Sequence, residues 1–170
     1  MGFARSRYGI EVSDTETAAK DIYRFLRIFF AAFDKFKDSG LILAGESYGG
    51  RYIPIFATEV VDRNLEYTDA AFAQGKKPRK DQLLDLKSVM IGNGLTDTAT
   101  QVPYWYDFAC TTRGGLKTPI LSIKTCTRMK VYRDKCAKEL PVHCKMSYNA
   151  DKCQDLVNLC LKELEEPFEK

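Results

Sequence analysis

Gly45-Glu46-Ser47-Tyr48-Gly49-Gly50 sets a serine among glycines, with an acid before it and an aromatic after it. Gly45, Ser47 and Gly49 satisfy G-x-S-x-G, a pattern that places a serine on a sharp strand-to-helix reversal and exposes its hydroxyl for attack. The chemistry this suits is acyl transfer, with Ser47 Oγ attacking a carbonyl and the Tyr48 backbone amide facing the oxyanion that develops. Glycines at 45 and 49 are expected to remove side chains that would collide across the turn, with Gly50 keeping the approach open. The plainer reading of the same residues is a glycine-rich turn with a serine cap.

A serine nucleophile needs a base and an acid that orients it. The chain has one histidine, His143, and the order Ser47, Asp97, His143 is the one such hydrolases follow. Asp97 comes shortly after an apolar run ending at Ile91. His143 instead lies in Pro141-Val142-His143-Cys144, away from any strand end, as an exposed loop histidine does. A complete triad is therefore not expected within this chain. A metal is the other chemistry a Cys/His cluster raises, but Cys110, Cys126, Cys136, Cys144, Cys153 and Cys160 contain no tight C-x-x-C pair able to converge on one ion. Disulfides are expected, and no metal or cofactor.

The elements that must position Ser47 are legible around it. Ser13 and Glu16 have the form of a capping box ahead of Ala18, Ala19, Ile22, Phe25, Leu26, Phe29, Phe33 and Phe36, which predicts an amphipathic helix over 14–37 stopped near Gly40. Leu41 to Ala44 is too short for a helix and suits a buried parallel strand. A second helix follows the turn, with Ile53, Phe56, Ala57, Val60 and Val61 inward, then a polar loop over 66–82. A second strand over Leu86 to Ile91 ends at Gly92-Asn93-Gly94. The order is βαβ, and a right-handed crossover makes the strands parallel. Beyond Thr98 strands vanish and cysteines appear. Thr118-Pro119 reads as an N-cap with a first-turn proline opening a helix over 119–138, and another helix is expected over 151–165.

The 170 residues carry a formal net charge of +3 and are 45% hydrophobic, a balance that gives no argument for nucleic acid. The basic run at 75–80, GKKPRK, reads as a solvated loop. No window approaches the roughly 18–20 apolar residues of a membrane span, and the opening MGFARSRYG lacks the apolar region of a secretory signal. Clustered, even-numbered cysteines point the other way, to an oxidising compartment. Two strands alone make a poor parallel sheet, since such sheets are covered on both faces and average about five strands or more. A piece of a larger fold is expected.

The stretch GESYGGRYIPIFATEV resembles the serine carboxypeptidases, specifically the carboxypeptidase Y-like group, whose nucleophile motif G-E-S-Y-[AG]-G-x-Y-I-P is matched from Gly45 through Pro54. IGNGLTD at 91–97 resembles a second family motif, SDTETAAKDIYRFLRIFF the approach to the nucleophile strand, and the succession after Cys110 the family's helical insertion. EEPFEK at 165–170 is similar to the point where that insertion returns to the core.

The resemblance implies an α/β fold: a partial α/β-hydrolase core with a nucleophile elbow over 1–97, and a helical, disulfide-rich insertion or lid over 98–170. It implies an enzyme that releases C-terminal residues from peptides or proteins, preferably at acidic pH, in vacuoles, lysosomes or secretions. Ser47 matches the nucleophile, the Tyr48 amide one half of the oxyanion hole, and Glu46 a group that binds the substrate's terminal carboxylate. A protonated carboxyl donates a hydrogen bond to a carboxylate and stops doing so on ionising, which accounts for an acidic optimum. The structural alternative for Glu46 is a hydrogen bond inside the elbow. By resemblance the cysteines pair Cys110–Cys126, Cys136–Cys160 and Cys144–Cys153.

The family's W-N-G-G-P-G segment is expected upstream of this chain, and its catalytic aspartate and G-H-x-x-P histidine downstream. Gly2-Phe3-Ala4-Arg5 departs from the usual G-[FY]-S-Y, and no N-x-[ST] sequon is present. Activity of the isolated chain is therefore expected to be poor. The alternative function is a non-catalytic, Cys-rich interaction or inhibitor module derived from the same fold. Oligomeric state and residue preference are not encoded in any motif here.

Overall fold

The computed structural model describes residues 11–146 and 149–169, and the chain divides into two compact units, 1–95 and 96–170. The opening residues, with Gly2 to Arg5, lie outside the described part.

The first unit runs α1 (Thr15–Ala32), β1 (Leu41–Glu46), α2 (Gly49–Ala73) and β2 (Leu86–Gly92). The strands pair in parallel, from Leu41 opposite Leu86 to Glu46 opposite Gly92, and α2 is the crossover between them, so the expected βαβ order is present. Leu41, Val60 and Leu84 are buried together against Tyr23, Leu26, Phe30, Leu43 and Leu86. Asn64 ties α2 to the segment entering β2: its side chain accepts from Leu84 N at 3.0 Å and donates to Leu84 O at 2.8 Å. Much apolar surface stays open, including Phe25 and Ile28 on α1, Ile42 on β1, and Val89, Met90 and Ile91 on β2.

Several element boundaries differ from the sequence expectation. The N-cap of α1 is Asp14 in place of Ser13, because one carboxylate takes both Thr17 N at 2.6 Å and Thr17 Oγ1 at 2.9 Å. Glu16 pairs instead with Arg51 at 2.9 Å, holding α1 to α2. The helix ends at Ala32, not 37, since Phe33 leaves helical geometry (φ −122°, ψ 74°) and a single 3-10 turn, Asp34–Phe36, follows. Strand β1 runs two residues beyond Ala44, to Glu46. Helix α2 continues to Ala73 through residues expected as loop; Arg63 bridges Glu59 and Glu66, each at 2.8 Å, and such i,i+3 and i,i+4 pairs support a polar helix.

The second unit is helical: α3 (Thr98–Cys110), α4 (Ile123–Pro141), a wide π-type turn (Val142–Met146), α5 (Ala150–Leu164) and a last turn (Glu166–Glu169). Disulfides join Cys110 to Cys126, Cys136 to Cys160 and Cys144 to Cys153. Cys136 and Cys160 lie in a core with Val102, Met129, Leu140, Leu156 and Leu164. Helix α4 starts at Ser122, not Thr118, because Ile120 N and Leu121 N both donate to Ala109 O (2.8 and 3.3 Å), which holds this stretch against the end of α3. Two acids are buried and paired: Glu163 with Arg128, and Asp107 with Arg113 at 3.3 Å and Arg133 at 3.4 Å.

Candidate functional site

Strand β1 delivers Ser47 to the reversal and α2 leaves from it. Ser47 has φ 57°, in the left-handed region, and only Asn93, at φ 46°, shares that conformation among the described non-glycine residues. A left-handed residue with a Cβ costs roughly 1–2 kcal/mol, so the surroundings must hold it there. They do so through its own peptide groups: Ser47 N donates to Gly92 O at 3.0 Å, while Ser47 O accepts from Leu95 N at 2.9 Å and from Gly50 N at 3.0 Å. The residue itself is exposed.

Tyr48 caps α2, and its amide has no acceptor among the described residues. An unpaired N–H at a helix start favours developing negative charge. The Tyr48 ring stands edge-on to Tyr52 with centroids 4.9 Å apart, and Tyr52 stacks on Phe56 at 5.9 Å, giving α2 an aromatic rail along its first turns. Glu46 is exposed at the end of β1, opposite Gly92.

Gly45 acts as expected, whereas Gly49 and Gly50 do not. A Cβ on Gly45 would come within 2.7 Å of Ile53 Cγ1, whereas one on Gly49 would meet that atom only at an ordinary 3.9 Å. The crowded position is Gly50, where a Cβ would lie 2.5 Å from Leu95 O and 2.7 Å from Leu95 N; Gly50 therefore does not keep space open, but lets a backbone approach. Gly94 faces it from the loop after β2, where a Cβ would sit 3.1 Å from Gly50 Cα and 2.3 Å from Ile91 Cγ2. The loop 92–95 is thus part of the site. In the sequence Gly92-Asn93-Gly94 is a strand end and part of a family-like motif, with no role in the site attached; an Asn-Gly pair after a strand, which signals positive φ, is the available clue.

Ser47 belongs to the first unit, Asp97 and His143 to the second. Asp97 Oδ2 accepts from Lys145 Nζ at 2.7 Å and from Thr100 Oγ1 at 2.5 Å, and these two bonds hold its carboxyl below the usual range. No hydrogen bond joins Asp97 to His143 among the described residues, so the acid does not orient that imidazole. His143 is half-buried in the π-type turn, where its carbonyl accepts from Asn149 N at 3.2 Å. All six cysteines are bonded in pairs, and among the described residues no group of three or more His, Cys, Asp or Glu could hold a metal ion. A cavity of about 1070 Å³ opens at the Leu41 and Leu86 ends of the strands, the opposite end from Ser47.

Comparison with known proteins bears on this geometry. The family model described as serine carboxypeptidase matches residues 1–169. The chain belongs to the serine carboxypeptidase family. Among its relatives, carboxypeptidase Y of Schizosaccharomyces pombe is 43% identical over 127 residues, covering 75% of this chain and 12% of the relative. The vacuolar serine-type carboxypeptidase ATG42 of Saccharomyces cerevisiae is 38% identical over 169 residues, covering 99% of this chain and 29% of the relative. A crystal structure of Kex1(delta)p, a prohormone-processing carboxypeptidase from Saccharomyces cerevisiae, matches with TM-score 0.54 at 23% identity, over 94% of this chain and 32% of that one, a likeness of fold. The chain spans less than a third of the length of each of these proteins.

Proposed function

We propose that this chain carries the nucleophile-bearing centre of a serine carboxypeptidase: a partial α/β-hydrolase core over 1–97 and a helical, disulfide-stapled insertion over 98–170. Its substrates are the C-termini of peptides or proteins. Ser47 Oγ attacks the carbonyl of the last peptide bond, the bond to the terminal residue breaks, and that residue leaves as a free amino acid. Water then hydrolyses the ester on Ser47 and restores the hydroxyl. The Tyr48 amide stabilises the oxyanion at both stages, and Glu46, beside the nucleophile, binds the terminal carboxylate of the substrate.

The observation that carries this reading is the left-handed Ser47 between β1 and α2, exposed and clamped by its own peptide groups. With no hydrogen bond between Asp97 and His143 among the described residues, this reading assigns the base and its acid to segments outside these residues. The open apolar surfaces of β1, β2 and α1 support a larger sheet around them. Three disulfides support an oxidising compartment, and the relative named vacuolar supports a vacuolar or lysosomal one, with secretion the other route consistent with the bonds.

The direct test is release of the C-terminal residue from an N-blocked dipeptide by the protein in its full natural length, followed by mass spectrometry. Ser47→Ala should abolish release, and Glu46→Ala, which removes the donor, should raise KM for the free acid more than for the corresponding C-terminal amide. Full activity in Ser47→Ala would rule the assignment out. A fluorophosphonate should label the isolated 170-residue chain only slowly; fast labelling would place the base within it.

A further inference from the structure

We propose that Asn93 is a positioning residue for Ser47: its left-handed backbone shapes the 92–95 loop into a clamp that holds the serine in its own left-handed conformation. The inference rests on the assignment of Ser47 as nucleophile and goes further, to what keeps that nucleophile aimed.

Gly92 and Leu95 grip one peptide unit each side of Ser47. Gly92 O accepts from Ser47 N, and Leu95 N donates to Ser47 O. Between those two partners the loop has to turn so that a carbonyl and, three residues later, an amide both face the same residue. Asn93 makes that turn at φ 46°, a conformation asparagine tolerates better than other residues with a side chain, and glycine better still. The only two left-handed non-glycine residues among those described therefore belong to a single hydrogen-bonded unit. The Asn93 side chain has no hydrogen-bond partner among the described residues and is exposed, so its part in the clamp is a matter of backbone conformation. The glycine pair closes the unit: a Cβ added to Gly50 would fall 2.5 Å from Leu95 O, and one added to Gly94 3.1 Å from Gly50 Cα, so loop and helix start pack backbone against backbone. A shift of the loop cannot be absorbed by side chains and is passed to Ser47.

The proposal separates two substitutions at one position. Asn93→Gly keeps the left-handed turn and should leave kcat within about threefold of the parent. Asn93→Val disfavours that turn and should lower kcat about a hundredfold, at unchanged KM, since misplacing a nucleophile by about 1 Å costs that much. Gly94→Ala, which leaves residue 93 alone and pushes the loop off Gly50, should lower kcat in the same way. Amide hydrogen exchange at Ser47 and Leu95 reads the clamp without turnover. It should speed up at both amides in Asn93→Val and stay at the parental rate in Asn93→Gly, while the Cys-bonded helices keep their protection. Parental exchange and kcat in Asn93→Val would overturn the proposal. Equal losses in Asn93→Gly and Asn93→Val would overturn it too, by making the side chain the agent. If Ser47→Ala retains full turnover, the catalytic assignment fails and with it a positioning role in catalysis, even where the exchange pattern shows that the clamp exists.

Discussion

The two units meet the same requirement, burial of apolar side chains, by different means. Among the described residues, ten buried ones in 96–170, three of them cysteines, form one cluster, whereas in 1–95 the cluster around the strands has three, Leu41, Val60 and Leu84. The helical unit adds disulfides and paired buried acids to its core. Among the described residues the strand unit has neither, and it leaves Phe25, Ile28, Ile42 and Met90 more than half exposed. Yet the glycine whose added Cβ would come nearest to backbone, Gly50, lies in the strand unit. One region is stabilised throughout; the other is loosely covered and rigidly specified only around Ser47.

That contrast is open to challenge, most strongly at the staples. Replacing Cys136 and Cys160 by alanine removes a bridge spanning 24 residues and should destabilise the helical unit by about 3.5 kcal/mol, on the chain-entropy estimate. Urea unfolding followed by helical circular dichroism measures it; a loss under about 1 kcal/mol would mean that the core suffices without the staple. In the strand unit, Gly50→Ala should cost about 3 kcal/mol through overpacking against the Leu95 backbone, while Gly49→Ala stays under about 1 kcal/mol. Equal costs would remove the claim that rigidity is concentrated where the loop meets the helix.

Smaller effects test the charges. Arg128→Met leaves the buried Glu163 carboxylate without its partner and should cost about 1–3 kcal/mol at neutral pH. Lys145→Met should cost less than about 1 kcal/mol, because the Lys145–Asp97 pair is well exposed. The sign of its pH dependence is fixed. Asp97 has a lowered pKa in the folded protein, so its contribution is present above the unfolded value of 3.8 and fades as pH falls through the folded one. Lys145→Met and the parent should therefore converge in stability in strong acid. Glu165 runs oppositely: burial first, then Glu169, raise its pKa, so the folded state is favoured by its protonated form. Glu165→Gln should stabilise at neutral pH, with the advantage disappearing as pH falls below 4.5.

Local pattern made part of this molecule legible before its structure. The apolar runs at 41–44 and 86–91 became parallel strands, and GESYGG became the turn between β1 and α2. Helix α3 is not predicted by the sequence pattern. Its inward residues include Pro103 and Asp107, which blur the apolar period that identifies a helix, although Ala99, Val102 and Ala109 carry part of it. The start of α4 was misplaced because Thr118-Pro119 is a sound local signal overridden by a tertiary one, the Ala109 carbonyl. The part played by the 92–95 loop was hidden for a similar reason. Its hydrogen bonds run to Ser47, more than forty residues earlier, and no short window contains both. Disulfide partners were likewise beyond spacing, and only the family resemblance suggested a pairing.

The parallel pair β1–β2 has a further consequence for how the chain behaves in company. Among the described residues each strand has a single neighbour, so each presents one outer row of backbone donors and acceptors, beside exposed Ile42, Val89 and Met90. Such a rim is a template for any extended chain. A segment that paired with this rim would also guard it against aggregation, and any interval in which the rim stood unpaired during folding would be the chain's most aggregation-prone one.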